Sequence, residues 1–209
     1  LKDHSNKQTF FCVLNCLVAV IGCARIAYAM RWGPWAFSDS ASYFSAARNL
    51  IAGEGLVISR VGGGKDLYQL FPPLYPVTLG AAGWLSGDLF TAARWINIIA
   101  FGFFLFLSGK VLFKLSSSIS VSLMTPLLLI VSPMMMADFT GAMTESLFLT
   151  FMLLCLSVTL SLIREQNRMT TAVFILATAF LPVIRYAGIA FVILNFVLLF
   201  FLIRKPLRT

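Results

Sequence analysis

The sequence predicts an all-α membrane protein, a polytopic transmembrane helix bundle of about six spans with juxtamembrane helices in its first outer loop. Hydrophobic residues make up 59% of its 209 residues, charged residues only 11%, and the mean hydropathy is +0.90. Soluble domains contain about 25% charged residues, and a soluble globule could not bury this much apolar surface. The apolar residues also form long runs, and about 20 such residues span a bilayer core as a helix.

Six apolar runs are the predicted spans, at residues 10–32, 91–115, 119–137, 142–163, 169–184 and 188–203. Residues 33–90 form the predicted outer loop between the first two spans. The whole chain, residues 1–209, is interpreted as a single membrane domain, because no internal repeat is evident. Arg25 is the charge well inside the first span, and either snorkelling or packing against a polar neighbour accounts for it.

The outer loop begins with a predicted amphipathic helix. Ser38 is the predicted N-cap of a helix that starts at Asp39, since serine is a favoured residue at that position. Apolar residues then recur at helical spacing on one face, and Gly53 and Gly55 end the helix. Such a helix can lie in the interface plane of a membrane. The three consecutive glycines at residues 62–64 predict a flexible loop.

Residues 67–85 are apolar but interrupted by Pro72, Pro73 and Pro76. They could either span the bilayer or form an interfacial or re-entrant helix. The distribution of charge favours the second interpretation, because cytoplasmic loops of membrane proteins are rich in lysine and arginine. If this segment does not span, one side receives nine basic residues against two acids: Lys2, Lys7, Lys110, Lys114, Arg164, Arg168, Arg204, Lys205 and Arg208, against Asp3 and Glu165. The six acids on the far side are then Asp39, Glu54, Asp66, Asp88, Asp138 and Glu145.

Several classes of partner and cofactor are disfavoured by composition. The net charge is +8, but the basic residues are scattered, so membrane lipids are expected partners and nucleic acid is not. His4 is the only histidine, and the four cysteines form neither a CxxC motif nor a Cys/His cluster. Neither a metal ion nor another cofactor is therefore expected.

Two outer carboxylates are the candidate catalytic residues. Asp39 follows the first span, where a carboxylate can act as a general base if it reaches an acceptor hydroxyl. The alternative is that Asp39 only supports a helix N-terminus. Asp138 is the second candidate, because nothing in its local sequence requires a carboxylate, whereas Glu145 suits ordinary helix-end chemistry.

Three outer cations are candidates for binding a substrate phosphate: Arg94, Arg185 and Lys65. An arginine at a membrane surface can bind a lipid phosphate through two parallel hydrogen bonds. The alternatives are contact with lipid headgroups or pairing with the outer acids. The glycines before Lys65 are not a nucleotide-binding loop, because no GK[ST] motif follows them.

Five segments, taken in order, resemble one family: ARNLIAGEGL, FPPLYPVTLGA, AARWINIIAFG, MTESLFLTFMLL and IRYAGIA. Together with an acid just after the first span, they are similar to the membrane glycosyltransferases of the C-type superfamily, which use polyprenyl-phosphate sugars. This superfamily includes bacterial relatives of protein O-mannosyltransferases and the lipid A aminoarabinose transferase. The resemblance covers most of residues 38–190.

The resemblance implies an inverting sugar transfer at the outer membrane face from a lipid-linked donor. It implies that Asp39 is the base and that Asp138 belongs to a second outer acidic site, with Pro72 and Pro73 near the lipid phosphate. Some relatives have a lysine where Phe71 stands, so Lys65, Arg94 or Arg185 would bind the phosphate instead. Relatives are usually longer, so the chain is expected to be the N-terminal catalytic part, located in the cell inner membrane or an equivalent membrane.

Two other functions are compatible with the sequence. The first is a non-catalytic subunit of a larger membrane complex built on the same scaffold, favoured by the short chain and by the serines that flank Asp39 where many relatives have two acids. The second is a transporter, which predicts mid-membrane charges and a repeat between halves. Only Arg25 is clearly mid-span, so the transporter ranks last.

Overall fold

The computed structural model describes the backbone of residues 2–164 and 167–203, and the side chains of residues 6–164 and 167–200. This part of the chain forms nine helices and one two-stranded hairpin, which confirms the prediction of a largely all-α protein. The charge argument also used Lys2, Asp3, Glu165, Arg204, Lys205 and Arg208, whose side chains lie outside the described residues. The elements are α1 (Lys2–Ala29), α2 (Ser38–Ile51), β1 (Val57–Ser59), β2 (Lys65–Leu67), α3 (Leu74–Ser86), α4 (Leu89–Ser116), α5 (Ile119–Val131), α6 (Pro133–Thr140), α7 (Glu145–Arg164), α8 (Arg168–Ile184) and α9 (Gly188–Ile203).

Helix α4 is the centre of the bundle and packs against α1, α3, α5 and α7. It runs antiparallel to α1, because Phe11 near the start of α1 stacks on Phe113 near the end of α4, with ring centroids 4.2 Å apart. Farther along, the Asn15 amide donates to the Phe106 carbonyl oxygen at 2.8 Å. A Cβ at Gly109 would lie 2.2 Å from Asn15 Oδ1, so a glycine is needed for this close approach.

Helices α7, α8 and α9 alternate in direction beside α4. The Thr150 hydroxyl of α7 donates to the Ala100 carbonyl oxygen of α4 at 3.0 Å, and Lys114 donates to the Ser157 carbonyl oxygen at 2.9 Å, so α7 runs parallel to α4. Helices α8 and α9 join α7 through a buried contact in which the Asn195 amide donates to Thr178 Oγ1 of α8 at 3.0 Å and to Cys155 Sγ of α7 at 3.1 Å. Each end of the bundle therefore contains the C-termini of some helices and the N-termini of the helices that follow them.

We call one end the acidic end. It contains the C-termini of α1, α6 and α8 and the N-termini of α4, α7 and α9. Helix α2, the hairpin and α3 also lie at this end, where Tyr43, Tyr75 and Leu79 form a buried cluster with Ala93 and Ile96 of α4. Residues 67–85, the ambiguous segment, are divided between the end of β2 and the 13-residue helix α3.

Three helices of the described chain are long and apolar enough to span a membrane, at Asn6–Ala29, Leu89–Ser116 and Glu145–Arg164. Helices α5 and α6 qualify only as one span bent by 66°, while Arg168–Ile184 and Gly188–Phe200 are apolar but shorter. The bend falls at Ser132, because the next residue is Pro133. Proline has no N–H to continue the backbone hydrogen bonds of α5, and it disfavours helical backbone in the residue before it. By length, the structure is thus compatible with a membrane protein of three or four spans, and it does not confirm the six spans that the sequence predicts.

Three local predictions need correction. Helix α1 ends at Ala29, three residues before the predicted end of the first span. Ser38 is inside α2 and not its cap; Phe37 occupies the N-cap position, and its N–H donates to the Ser40 hydroxyl at 3.0 Å. The triple glycine is the turn of the β1–β2 hairpin, which pairs Ile58 with Asp66 and which the sequence analysis missed.

Candidate functional site

A short set of hydrogen bonds fastens the first loop to the α6–α7 turn. The Trp35 N–H donates to the Thr140 carbonyl oxygen at 3.1 Å, and the Ala142 N–H donates to the Trp35 carbonyl oxygen at 2.9 Å. The Trp35 indole also donates to Thr140 Oγ1 at 2.9 Å, across 105 residues of sequence. We call these contacts the Trp35 strap. Because Asp39 follows Trp35 by four residues and Asp138 precedes Thr140 by two, the strap brings both carboxylates to the acidic end.

Asn97 of α4 binds the α6–α7 turn through its side chain. Its side chain is fully buried. The amide donates to the Gly141 carbonyl oxygen at 2.6 Å, and its oxygen accepts a hydrogen bond from the Ser146 hydroxyl at 2.7 Å. The turn is therefore anchored to the central helix as well as to the first loop.

Tyr43 of α2 is the common neighbour of the charged groups at this end. Burial raises the pKa of Tyr43 to about 12, and the negative charges of Asp39 and Glu145 act in the same direction. A hydrogen bond with the Thr144 side chain and the positive charge of Arg185 oppose the shift. Tyr43 thus stays protonated at neutral pH, so it can donate a hydrogen bond but cannot serve as a base. Proton abstraction at this site falls to the carboxylates.

Arg185 and Glu145 form an ion pair that joins the end of α8 to the start of α7. Both side chains are partly exposed, 40% for Arg185 and 26% for Glu145. The charges of this pair also act on the half-buried Asp138. Glu145 and Arg185 therefore act on Asp138 directly, whereas Asp39 is connected to them only through Tyr43, on which all three charges act.

A buried hydroxyl at the same place lacks a partner. Tyr75 is fully buried, and its ring lies edge-on to the Tyr43 ring with centroids 5.1 Å apart. Its hydroxyl makes no hydrogen bond within the described residues, and the charge of Glu145 acts on it. Native proteins pair nearly all such groups, so this unpaired hydroxyl, on which the charge of Glu145 acts, is a candidate partner for a ligand.

Two of the three predicted phosphate-binding cations have other contacts. Lys65 Nζ lies 2.5 Å from a Glu54 carboxylate oxygen on the exposed hairpin. Arg94 is half-buried and donates to the Ala27 carbonyl oxygen at 3.3 Å, which satisfies one of the last carbonyl groups of α1. Among the predicted cations, the described contacts connect Arg185 alone to the surroundings of Asp39.

The sequence analysis did not identify Tyr43 and Tyr75 as site residues, and it assigned Glu145 only a helix-end role. Asp39 and Tyr43 are four residues apart on one helix and therefore face the same way, so Tyr43 was detectable from spacing. Tyr75 and Glu145 were not detectable in this way, since only tertiary contacts bring α3 and α7 against α2. The six residues Asp39, Tyr43, Tyr75, Asp138, Glu145 and Arg185 together form the candidate site, which we call the carboxylate site.

Comparison of the chain with protein-family models, with curated proteins and with solved structures found no significant match. The class of protein is therefore defined by the structure itself: an α-helical bundle with membrane-spanning features whose one end holds a partly exposed cluster of carboxylates, tyrosines and an arginine.

Proposed function

We propose that this protein is a glycosyltransferase that moves a sugar from a polyprenyl-phosphate donor to an acceptor hydroxyl at the outer membrane face. The observation that carries the proposal is the Trp35 strap, which holds the loop just before Asp39 against the turn just after Asp138, from widely separated parts of the chain. Arg185 pairs with Glu145 at the start of the helix that follows this turn. General-base catalysis needs a carboxylate, and a departing phosphate needs a cation. The carboxylate site combines the two.

In the proposed reaction, Asp39 takes the proton of the acceptor hydroxyl. The acceptor oxygen forms a bond to the anomeric carbon while the bond from that carbon to the phosphate oxygen breaks, and the electron pair leaves with the polyprenyl phosphate. Arg185 stabilises the charge on the leaving phosphate. Only its Nη1 contacts Glu145 in the described ion pair, and a guanidinium has five N–H donors, so it can bind both groups.

The neutral Tyr43 hydroxyl and the unpaired Tyr75 hydroxyl are suited to hydrogen bonding with the sugar or the phosphate. Asp138 shares Arg185 with the donor phosphate in this scheme, and it holds the guanidinium in position by charge. Lys65 and Arg94 are the weaker candidates for phosphate contact, because their described partners, Glu54 and the Ala27 carbonyl group, lie outside the carboxylate site.

The orientation in the membrane follows from charge. All six acidic side chains in the described part of the chain lie at the acidic end, whereas Lys7, Lys110, Lys114, Arg164 and Arg168 lie toward the other end. The positive-inside rule places the basic end in the cytoplasm. We propose an inner-membrane or equivalent multi-pass protein that crosses six times, with the carboxylate site outside.

The alternative is a non-catalytic subunit of a larger membrane complex on the same scaffold. The ion pair between Arg185 and Glu145 favours it, because a neutralised arginine holds two helices together without any substrate.

A transfer assay separates these functions. We expect Asp39→Asn to lower sugar transfer from a lipid-linked donor by about 10²-fold or more, the usual contribution of a positioned general base. Asp66→Asn is the matched control, since Asp66 is an exposed hairpin carboxylate bound to Arg60, and its transfer rate should stay near that of the wild type. Wild-type-like transfer by Asp39→Asn would overturn the proposal, and co-purification of a stable larger complex with no transfer activity would favour the subunit.

A further inference from the structure

A groove of about 430 Å³ lies at the acidic end, on the side of α2 away from its Asp39 end. The C-terminal part of α2, the end of α3 and the start of α4 line it. Its apolar wall includes Phe44 and Phe90, whose rings stack with centroids 4.5 Å apart, and Leu89. Trp84 is 73% exposed at the edge of this groove, and exposed tryptophan is typical of the membrane–water interface.

Two opposite charges line the groove without pairing with each other. Among residues 6–164 and 167–200, no carboxylate lies within salt-bridge distance of the Arg48 guanidinium, which is exposed at the groove. The Asp88 carboxylate uses Oδ2 to accept a hydrogen bond from the Thr91 N–H at 2.7 Å as the N-cap of α4. This bond favours the ionised carboxylate, so the groove presents one cation and one anion beside an apolar wall.

We propose that the groove binds one zwitterionic phospholipid with a primary ammonium headgroup. The phosphate lies on Arg48, the ammonium lies beside Asp88, and the first chain segments contact Phe44, Leu89 and Phe90. An arginine binds phosphate through parallel hydrogen bonds, and an ammonium donates three hydrogen bonds that a carboxylate can accept. An anionic lipid such as phosphatidylglycerol satisfies Arg48 but leaves Asp88 without a cation. This site is separate from the carboxylate site, and the proposal does not depend on sugar transfer.

The test is native mass spectrometry of the detergent-purified full chain with lipids of identical acyl chains. The lipids of identical chains are phosphatidylethanolamine, phosphatidylcholine and phosphatidylglycerol, and undecaprenyl phosphate, which has a polyprenyl chain instead, is a fourth ligand. We expect phosphatidylethanolamine to be retained best by the wild type. Arg48→Gln should lower its retention by about fivefold, the effect expected for one partly exposed charge-assisted contact, and Arg48→Lys should keep part of it.

Two further variants make the test specific. Asp88→Asn keeps a favourable N-cap residue but removes the charge, so it should abolish the preference for phosphatidylethanolamine over phosphatidylglycerol. Arg60→Gln removes an exposed hairpin arginine outside the groove and should leave lipid retention unchanged. Equal loss in Arg48→Gln and Arg60→Gln, or equal wild-type retention of phosphatidylglycerol, would overturn the proposal. Displacement by soluble glycerophosphoethanolamine at the lipid's own concentration would contradict the chain contact, and melting curves of each variant verify folding.

Discussion

At the scale of single residues, Tyr43 shows how burial and charge decide which groups can do chemistry. Its ring is almost fully buried among Phe71 and Tyr75, and its hydroxyl is subject to the charges of Asp39, Glu145 and Arg185. A phenol in such surroundings resists ionisation, because the charged form loses hydration and meets two carboxylates. Tyr68 follows the same rule, since burial raises its pKa, with Tyr43, Tyr186 and Asp39 adding to the effect.

The raised pKa of Tyr43 predicts a loss of stability in alkali. The pKa is about 12 in the folded protein against the ordinary value of 10.0. The folded state therefore keeps the proton more tightly than the unfolded state, so the stabilisation is complete below pH 10 and is lost as the pH rises toward 12. We expect the melting temperature of the wild type to fall more steeply than that of Tyr43→Phe across this window.

The measurement is thermal unfolding in detergent, followed by circular dichroism from pH 8 to 12 at about half-unit steps, which brackets the ordinary tyrosine pKa. Tyr28→Phe is the matched control, because Tyr28 is 65% exposed on α1. If the curves of wild type and Tyr43→Phe stay parallel, the argument from burial is wrong.

At the scale of elements, the Trp35 strap is a parallel bridge between an irregular loop and the start of the α6–α7 turn. The Trp35 ring can approach the turn this closely because residue 141 is a glycine. A Cβ at Gly141 would lie 2.7 Å from Trp35 Cζ2 and 3.0 Å from two further ring atoms. The indole cannot move away without losing its hydrogen bond to Thr140. A glycine at this position is therefore a requirement of the contact between two loops.

We predict that Gly141→Ala moves Trp35 away from the α6–α7 turn and destabilises the protein. Overpacking of a tight contact costs about 1–3 kcal/mol, and the Trp35 environment should change with it. The smaller ring in Trp35→Phe removes the clash, so the double variant should recover part of the loss relative to the sum of the two single variants. The readouts are the free energy of unfolding and tryptophan fluorescence. Strict additivity of the two variants would show that Gly141 and Trp35 do not interact in this way.

At the scale of the whole molecule, the order of the helices determines which residues share an end. Helices α1, α4, the bent pair α5 and α6, α7, α8 and α9 alternate in direction, as their contacts show. Helix length qualifies only three of them as spans, or four with the bent pair. The remaining question is whether the short helices α8 and α9 cross the bilayer as they cross the bundle.

Labelling of single cysteines answers this question. In a chain whose four cysteines are replaced, Val61→Cys in the hairpin turn and Tyr186→Cys between α8 and α9 should react with a membrane-impermeant maleimide from outside. Ser116→Cys at the end of α4 should react only after permeabilisation. Val61 and Ser116 are exposed and Tyr186 is 55% exposed, so burial within the protein does not prevent reaction. Outside labelling of Val61→Cys without that of Tyr186→Cys would contradict the six crossings.

The sequence predicted the features that depend on composition and local backbone chemistry. Long apolar runs predicted the helices, and Gly53 and Gly55 predicted the end of α2. Each of these rests on a few adjacent residues. The hairpin was missed because three-residue strands leave almost no periodic signal. Ser38 was misplaced as a cap because the helix begins one residue earlier, and Ser40, three residues after Phe37, accepts the hydrogen bond from the Phe37 N–H.

By itself, then, the sequence determined that this is an apolar helical protein with few charges, because hydropathy and charge are properties of each residue wherever it lies. Tertiary structure alone decided that Tyr43 and Tyr75 lie near Glu145, that Arg185 pairs with Glu145, and that Arg94 instead satisfies the end of α1. The reason is physical: those contacts join residues on separate helices, and only the packing of α2, α3 and α7 on α4, and of α8 on α7, sets which side chains meet.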